Sequence, residues 1–397
     1  MTRMVCIGEV AEVIRGVTYD RDSVQDTPGN DALALLRGGN IQDQLILNEG
    51  LVWVRRRLIS DKQVLRQNDL VMCTSSGSAD VLGKTALFED DRWRGSCGAF
   101  CAVVRADPIL CYPGFLKHIL RSRAFLNWAR SSLGANIKNI RKSELEKFRF
   151  TLPARIEQQR IATILDKADN LRRKRQEAIR LSENFLRASF FHSFGDSEVN
   201  AMDWPVVRLE DVALQVTDGE HQTPRRSHEG IYLLSARNIQ NGHLDLGDVD
   251  YVPLDEFERI RRRCEPRRGD ILVSCSGSIG RVAQVTIDEP MALVRSVALV
   301  RPNKEKIRSS FLEHLLRSVP MQRRMIAASK SSAQANLFQG PIRALPVMLP
   351  PMEEQIRFEK IVERVALLSV KFDAAMSEVV DLASSLQWQY FNKASCS

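Results

Sequence analysis

The chain states one segment twice. Leu152-Pro153-Ala154-Arg155-Ile156-Glu157-Gln158-Gln159-Arg160-Ile161 returns as Leu349-Pro350-Pro351-Met352-Glu353-Glu354-Gln355-Ile356-Arg357-Phe358, 197 residues on in a chain of 397. Each copy opens a long helical pattern, and a globular stretch that also repeats stands before it. Such a chain is limited to two like bodies, and a body built twice meets its partner in two places. With a hydrophobic fraction of 44%, each half can bury its own core.

The globular stretches share a series of anchors. Cys6-Ile7-Gly8-Glu9-Val10-Ala11 matches Arg208-Leu209-Glu210-Asp211-Val212-Ala213, and Asn40 matches Asn238 within Leu36–Gln42 and Leu234–Gln240. Asp69-Leu70-Val71-Met72 and Asp270-Ile271-Leu272-Val273 each read as a buried strand after a polar turn. A Ser/Gly loop follows both, then Gly83-Lys84 and Gly280-Arg281. Further on, Val103-Val104-Arg105 pairs with Leu299-Val300-Arg301. Phe115–Ser122 pairs with Phe311–Ser318, a helical pattern that carries His118 and His314. The expected fold class is α+β, with two similar mixed α/β modules over 1–150 and 204–347. A helix and linker over 151–203 and a helix over 348–397 separate and follow them. Between anchors the copies differ, so the two modules should read unlike targets.

The helices carry an apolar seam. In the second it is Phe358, Ile361, Val365, Leu368, Phe372, Ala375, Val379, Leu382 and Leu386, in steps of three and four. That is a heptad pattern. The first keeps its phase with Ile161, Ile164, Ala168, Leu171, Arg175, Ala178, Ser182, Phe185 and Ser189, polar at three places. Each should run about 35 residues, or about 50 Å. The simplest partner for each is the other, antiparallel in a coiled coil if a two-fold axis relates the repeats. The basic run Arg172-Arg173-Lys174-Arg175 is a solvated face, or a contact for DNA phosphates or an acidic partner.

The net charge of +8 is unevenly spread. Residues 1–150 hold 22 Lys/Arg against 17 Asp/Glu, and 205–345 hold 21 against 17. A surplus on both modules suits a polyanion touched twice. No stretch approaches the roughly 18 apolar residues of a membrane span, and the start has no apolar signal region, so a cytoplasmic location is expected. The eight cysteines form no framework and no metal site. Gly77 to Thr85 imitates a phosphate loop, but with five residues between its glycines instead of four. Neither a methyltransferase nor a helicase motif set appears, and a non-enzyme is expected.

These residues resemble the specificity subunits of type I restriction–modification enzymes. The likeness spans nearly the whole chain and rests on the Leu-Pro…Glu-Gln segment used twice at this spacing. It implies that each module reads one half of a two-part site on double-stranded DNA. It implies that the helices set the spacer and dock two methyltransferase subunits, and that restriction subunits can join. No cofactor is expected on this chain; S-adenosylmethionine would sit on the methylation subunits. Two readings stand beside it: a self-contained restriction or modification enzyme, and a protein scaffold with no DNA role.

On that resemblance, the DNA-facing candidates of the first module are Arg37, Asn40, Ser75, Ser76, Ser78, Lys84, Arg92, Arg94, Asn136, Lys138 and Asn139. Those of the second are Arg225, Arg226, Arg237, Asn238, Ser276, Ser278, Arg281, Lys330 and Asn336. Matched positions, such as Asn40 with Asn238 and Asn136 with Asn336, can instead serve the shared frame. The unmatched Arg92, Arg94, Arg225 and Arg226 are the better candidates for sequence-specific contact.

Overall fold

The structure, a computed structural model, describes residues 2–25, 27–29, 31–78, 80–131, 138–329 and 335–391, without the side chains of 21, 138 and 371–378. It forms two compact units, Met1–Arg175 with Asp373–Ser397, and Gln176–Phe372.

In the first unit a four-stranded antiparallel sheet has the order Ala11–Arg15, Cys101–Ala106, Leu70–Cys73, Thr85–Leu87. A second sheet has the order Val24–Gln25, Val52–Arg55, Ala32–Leu36, Gly95–Cys97, the last pair being parallel. The strand Leu70–Cys73 shows why its run is apolar throughout. Leu70 and Met72 face a core shared with the helix Pro113–Leu120, while Val71 and Cys73 face a second core. A strand covered on both faces has no polar positions to alternate.

The second unit repeats this order with Ala213–Asp218, Val297–Pro302, Ile271–Ser274 and Val282–Gln284. Ile271 and Val273 face one core and Leu272 another. Each module is also closed by pairing its first strand with its last, Arg3–Cys6 with Arg149–Leu152 and Val206–Arg208 with Pro346–Met348. The anchors Asp69 and Asp270 are buried, and each accepts a two-pronged pair from the following Arg anchor. Arg105 meets Asp69 at 2.7 Å through Nε and again through a terminal nitrogen, and Arg301 meets Asp270 at 3.0 and 2.8 Å. The fork geometry matches a carboxylate, and other donors of the two guanidinium groups reach backbone carbonyls and, from Arg301, Gln215 Oε1.

The long helices are Arg155–Phe194 and Met352–Phe391, 40 residues each and so five longer than expected. The repeated motif explains how each one starts. Gln158 and Gln355 are buried. Gln158 Oε1 accepts from the Tyr112 amide at 2.7 Å, and its Nε2 donates to Pro153 O at 2.9 Å. Gln355 does the same with the Arg308 amide at 2.8 Å and Pro350 O at 2.9 Å. Tyr112 and Arg308 cap the short helices Pro113–Leu120 and Ser309–Arg317. One buried amide thus satisfies an otherwise unpaired donor at a helix start and fixes the long helix to its module.

The helices do not stand as separate segments over 151–203 and 348–397. Each divides between the units, at Arg175/Gln176 and Phe372/Asp373. In the first unit the last turns of the second helix lie beside the first turns of the first. Tyr390 donates to Glu157 at 3.3 Å, and Phe391 packs edge-on to Phe115. In the second unit Phe190 and Phe194 meet Phe311 and Phe358. Start meets end within each unit, so the helices run antiparallel there. The expected seam drifts at these ends. Leu386 is buried as expected, but so are Ala383, Phe190 and Phe194 outside the seam, while the seam residues Phe185, Leu368 and Leu382 are exposed. A 3.6-residue turn precesses against a heptad, and the helix ends follow the module cores.

Candidate nucleic-acid interface

In the first module the Ser/Gly loop is held from three sides. Ser75–Ser76 pairs antiparallel with Lys138–Asn139. Thr74 and Ser75 donate their amides to Phe100 O at 2.9 and 3.1 Å, and the Thr74 hydroxyl reaches the same oxygen at 3.2 Å. Lys84 O accepts from the Cys73 amide at 2.9 Å. That return needs Gly83, whose φ of +78° a side chain would strain. Above this floor lies a cleft of about 1040 Å³, lined by Arg37, Ser75, Ser76, Lys84, Tyr19 and Phe100 among others. No carboxylate pairs with Arg37, Lys84 or Arg92 among the described residues.

The second module builds the same floor. Ser274 N bonds Arg281 O at 2.9 Å, Gly280 has a φ of +84°, and Cys275 N bonds Ser296 O at 2.8 Å. Ser276 bridges to Asn336. Asn139 is therefore the structural counterpart of Asn336, pairing with Ser75 as Asn336 does with Ser276. This corrects the sequence match of Asn136 with Asn336. Asn136 and Lys330 lie outside the described residues, as does the side chain of Lys138.

Asn40 and Asn238 are not at the surface. Asn40 accepts from the Arg37 amide and donates to Ile46 O and Glu49 O at 3.1 and 2.7 Å. Asn238 accepts from the Ser235 amide and donates to Asp245 O and Asp248 O at 3.0 and 2.9 Å. Both close a loop and have no amide hydrogen left for a base, which corrects their place among the DNA-facing residues. The ranking of the unmatched cations changes too. Arg225 is bound to Asp255, Arg226 lies 3.6 Å from Asp250, and Arg94 donates to Asp91 O. Arg237 forks between Asp248 and Asp250 at 3.5 and 3.1 Å. The matched pair Lys84 and Arg281 carries no ion pair among the described residues. Ser78 and Ser278 are exposed on the loops beyond the floor.

Two residues escaped the sequence reading. The turn Gly98–Cys101 corresponds to Val294–Val297, because Cys101 N bonds Gly98 O as Val297 N bonds Val294 O. It carries Phe100, 70% exposed, in one module; in the other Ser296 holds that place and the residue before it is the exposed Arg295. The offset of 196 residues is the one already matched at Val103–Arg105 and Leu299–Arg301; the signal was a lone aromatic ahead of a buried strand.

The repeated histidines differ. His118 Nε2 lies 2.8 Å from Asp166 Oδ1, which Lys117 also binds. Burial works against the Asp166 carboxylate, but these two donors outweigh it and hold its pKa below the usual range. His314 Nδ1 faces Ser310 O at 2.9 Å, and its Nε2 is buried without a partner. Burial pushes His314 down to about 4 and its neighbour Glu313 up to about 7. Neither histidine sits with a nucleophile, and no group of three His, Cys, Asp or Glu is arranged for a metal among the described residues. No helix among them is long and apolar enough to cross a membrane.

Comparison with known proteins accounts for this duplicated architecture. A family described as type I restriction modification DNA specificity domain matches residues 2–181 and again 202–370. The EcoKI specificity subunit of Escherichia coli strain K12 is 24% identical over 98% of this chain and 87% of its own. The StySPI specificity subunit of Salmonella potsdam gives 24%, 98% and 87%. The crystal structure of the S subunit of a type I system from M. genitalium shares the fold, with a TM-score of 0.63 and 15% identity over 98% of this chain and 95% of that one. Each matched segment covers one module and the first part of the long helix that follows it, and the chain belongs to the family of type I restriction–modification DNA specificity subunits, non-catalytic components that carry no cofactor of their own.

Proposed function

We propose that each module reads one half of a two-part DNA site through its cleft, while the paired helices fix the number of unread base pairs between the halves. The observation that carries this reading is the placement of Arg37 and Lys84, which form no ion pair among the described residues, on a cleft floored by Ser75 and Ser76 and bordered by Glu49. Free cations hold phosphates, and hydroxyls or amides on a rigid floor read base edges. Arg281 with Ser276, Ser278 and Asn336 plays this part in the second module; Ser78, Arg92 and Asn139 flank the first. A helix of 40 residues is about 60 Å long, on the scale of one to two DNA turns of about 34 Å.

Two methylation subunits, which carry the S-adenosylmethionine, would dock along the helices, and restriction subunits would join through them in the cytoplasm. Support comes from exposed apolar residues repeated at the helix ends. Phe185 and Phe191 recur 197 residues later as Leu382 and Trp388, all exposed. Matched apolar patches suit two copies of one partner.

The test is DNA affinity of the chain alone and with its methylation subunits, followed by exchange of residues 1–150. Binding should become specific only in the complex, and the exchange should change one half of the methylated sequence. Sequence-blind binding that the subunits leave unchanged would refute the reading.

A further inference from the structure

Phe100 is an aromatic with 70% of its surface in water, which a folded chain gains nothing from unless something covers it. It is not a loose side chain. Its carbonyl takes three hydrogen bonds from Thr74 and Ser75, so the turn that carries the ring is locked to the floor of the cleft. The ring borders the same cleft as Arg37 and Lys84. A ligand that covers it must therefore be flat, apolar on one face and anionic along its edge. A nucleobase attached to its phosphates has that make-up.

We propose that Phe100 stacks on a base of the half-site read by the first module, opening one base step, while the equivalent turn of the second module has Ser296 in that place and offers the cation Arg295 beside it. The inference rests on the DNA reading above and deepens it. Arg37 and Lys84 hold the backbone on either side of the step, and the ring supplies a face against which an unstacked base can lie. An aromatic face accepts any base, so the ring selects for a step that opens easily, pyrimidine–purine above all, and not for a hydrogen-bonding pattern. Arg295 has no carboxylate partner among the described residues and would act on a phosphate or a base edge without opening the stack. The two half-sites then differ in how they are read as well as in sequence.

The experiment uses the complex of this chain with its methylation subunits. 2-Aminopurine is placed in turn at each position of both half-sites, the half belonging to the first module having been identified by exchanging 1–150. In the unaltered complex one position in that half should brighten beyond any brightening at the methylated adenine. Phe100→Ala should abolish that signal and weaken specific binding about tenfold or more. Phe100→Trp should keep both. Ile109→Ala, which removes a still more exposed apolar side chain outside the cleft, should change neither, and Arg295→Ala should alter only the other half. Unchanged fluorescence and affinity in Phe100→Ala would overturn the proposal while leaving the DNA reading intact. So would a loss of subunit assembly with normal DNA contact, which would make the ring a protein contact. If the unaltered complex shows no sequence preference, the DNA reading itself fails.

Discussion

The two modules share a frame and differ in which charges they leave free. Their surpluses are alike, 22 against 17 and 21 against 17. In the second module, however, Arg225, Arg226, Arg237, Arg259, Arg261 and Arg263 all lie against carboxylates. In the first, Arg37 and Lys84 line the cleft with no ion pair among the described residues, as Arg281 and Arg295 have none in the second. Net charge measures a module's pull on a distant polyanion, whereas contact depends on the cations with no nearer anion. Candidate sites in a basic domain are thus better ranked by ion pairing than by charge count.

If the frame is truly common, removing its central ion pair should damage both modules alike, and this is the largest effect expected. Arg105→Met leaves Asp69 buried without its partner, and Arg301→Met does the same to Asp270. Each should lower stability by roughly 3–5 kcal/mol, read from urea unfolding. A module that tolerates its change would not share the frame's energetics, whatever its topology.

Next in size is a difference confined to the second module. Glu313, pushed up to about 7, binds more protons folded than unfolded between about 4.5 and 7. Its contribution is full below 4.5 and lost as pH rises through 7. His314, held down to about 4, binds fewer protons folded than unfolded between about 4 and 6.5. Its contribution is full above 6.5 and lost as pH falls to 4. The two slopes oppose each other over pH 4.5–6.5. Glu313→Gln should remove one of them, so that stability rises with pH across that window by on the order of 3 kcal/mol. Thermal melts at a series of pH values check this; a profile still flat in the variant would show that His314 is not held neutral.

The buried motif glutamines come third. Gln158→Leu and Gln355→Leu each leave a helix-start amide, Tyr112 or Arg308, without an acceptor. A loss of about 2 kcal/mol per site is expected, together with faster amide exchange at Tyr112 or Arg308. Equal losses would mean that the motif does the same work twice. An unequal pair would show that one helix is held mainly by its aromatic contacts, such as Phe358 with Phe190 and Phe194.

Much of this frame was legible in the sequence, because backbone geometry keeps its own residues in place. Gly83 and Gly280 stand where φ is positive, Asp69 and Asp270 where a buried guanidinium needs a partner, and Gln158 and Gln355 where a helix start needs an acceptor. The helix lengths and the change of seam at their ends were less legible, since Phe190, Phe194 and Ala383 follow cores that the helices' own periodicity does not encode. The interface was least legible. Arg225 and Asp255 are 30 residues apart, and Asn139 reaches Ser75 across 64. Which cations are neutralised, and which asparagine lies on the floor, depends on such closures.

The smallest effect bears most directly on the comparison of free and paired cations. A phosphate contact releases counterions, so deleting one should lower the slope of log affinity against log salt by about one. Lys84→Ala and Arg37→Ala, in the complex with methylation subunits, should each do so while weakening all sequences alike. Arg225→Ala should leave the slope nearly unchanged, because Asp255 already neutralises it. DNA titrations over a range of salt measure all three. A full unit lost in Arg225→Ala would mean that its ion pair opens on DNA, and the contrast between modules would then belong to the free chain alone.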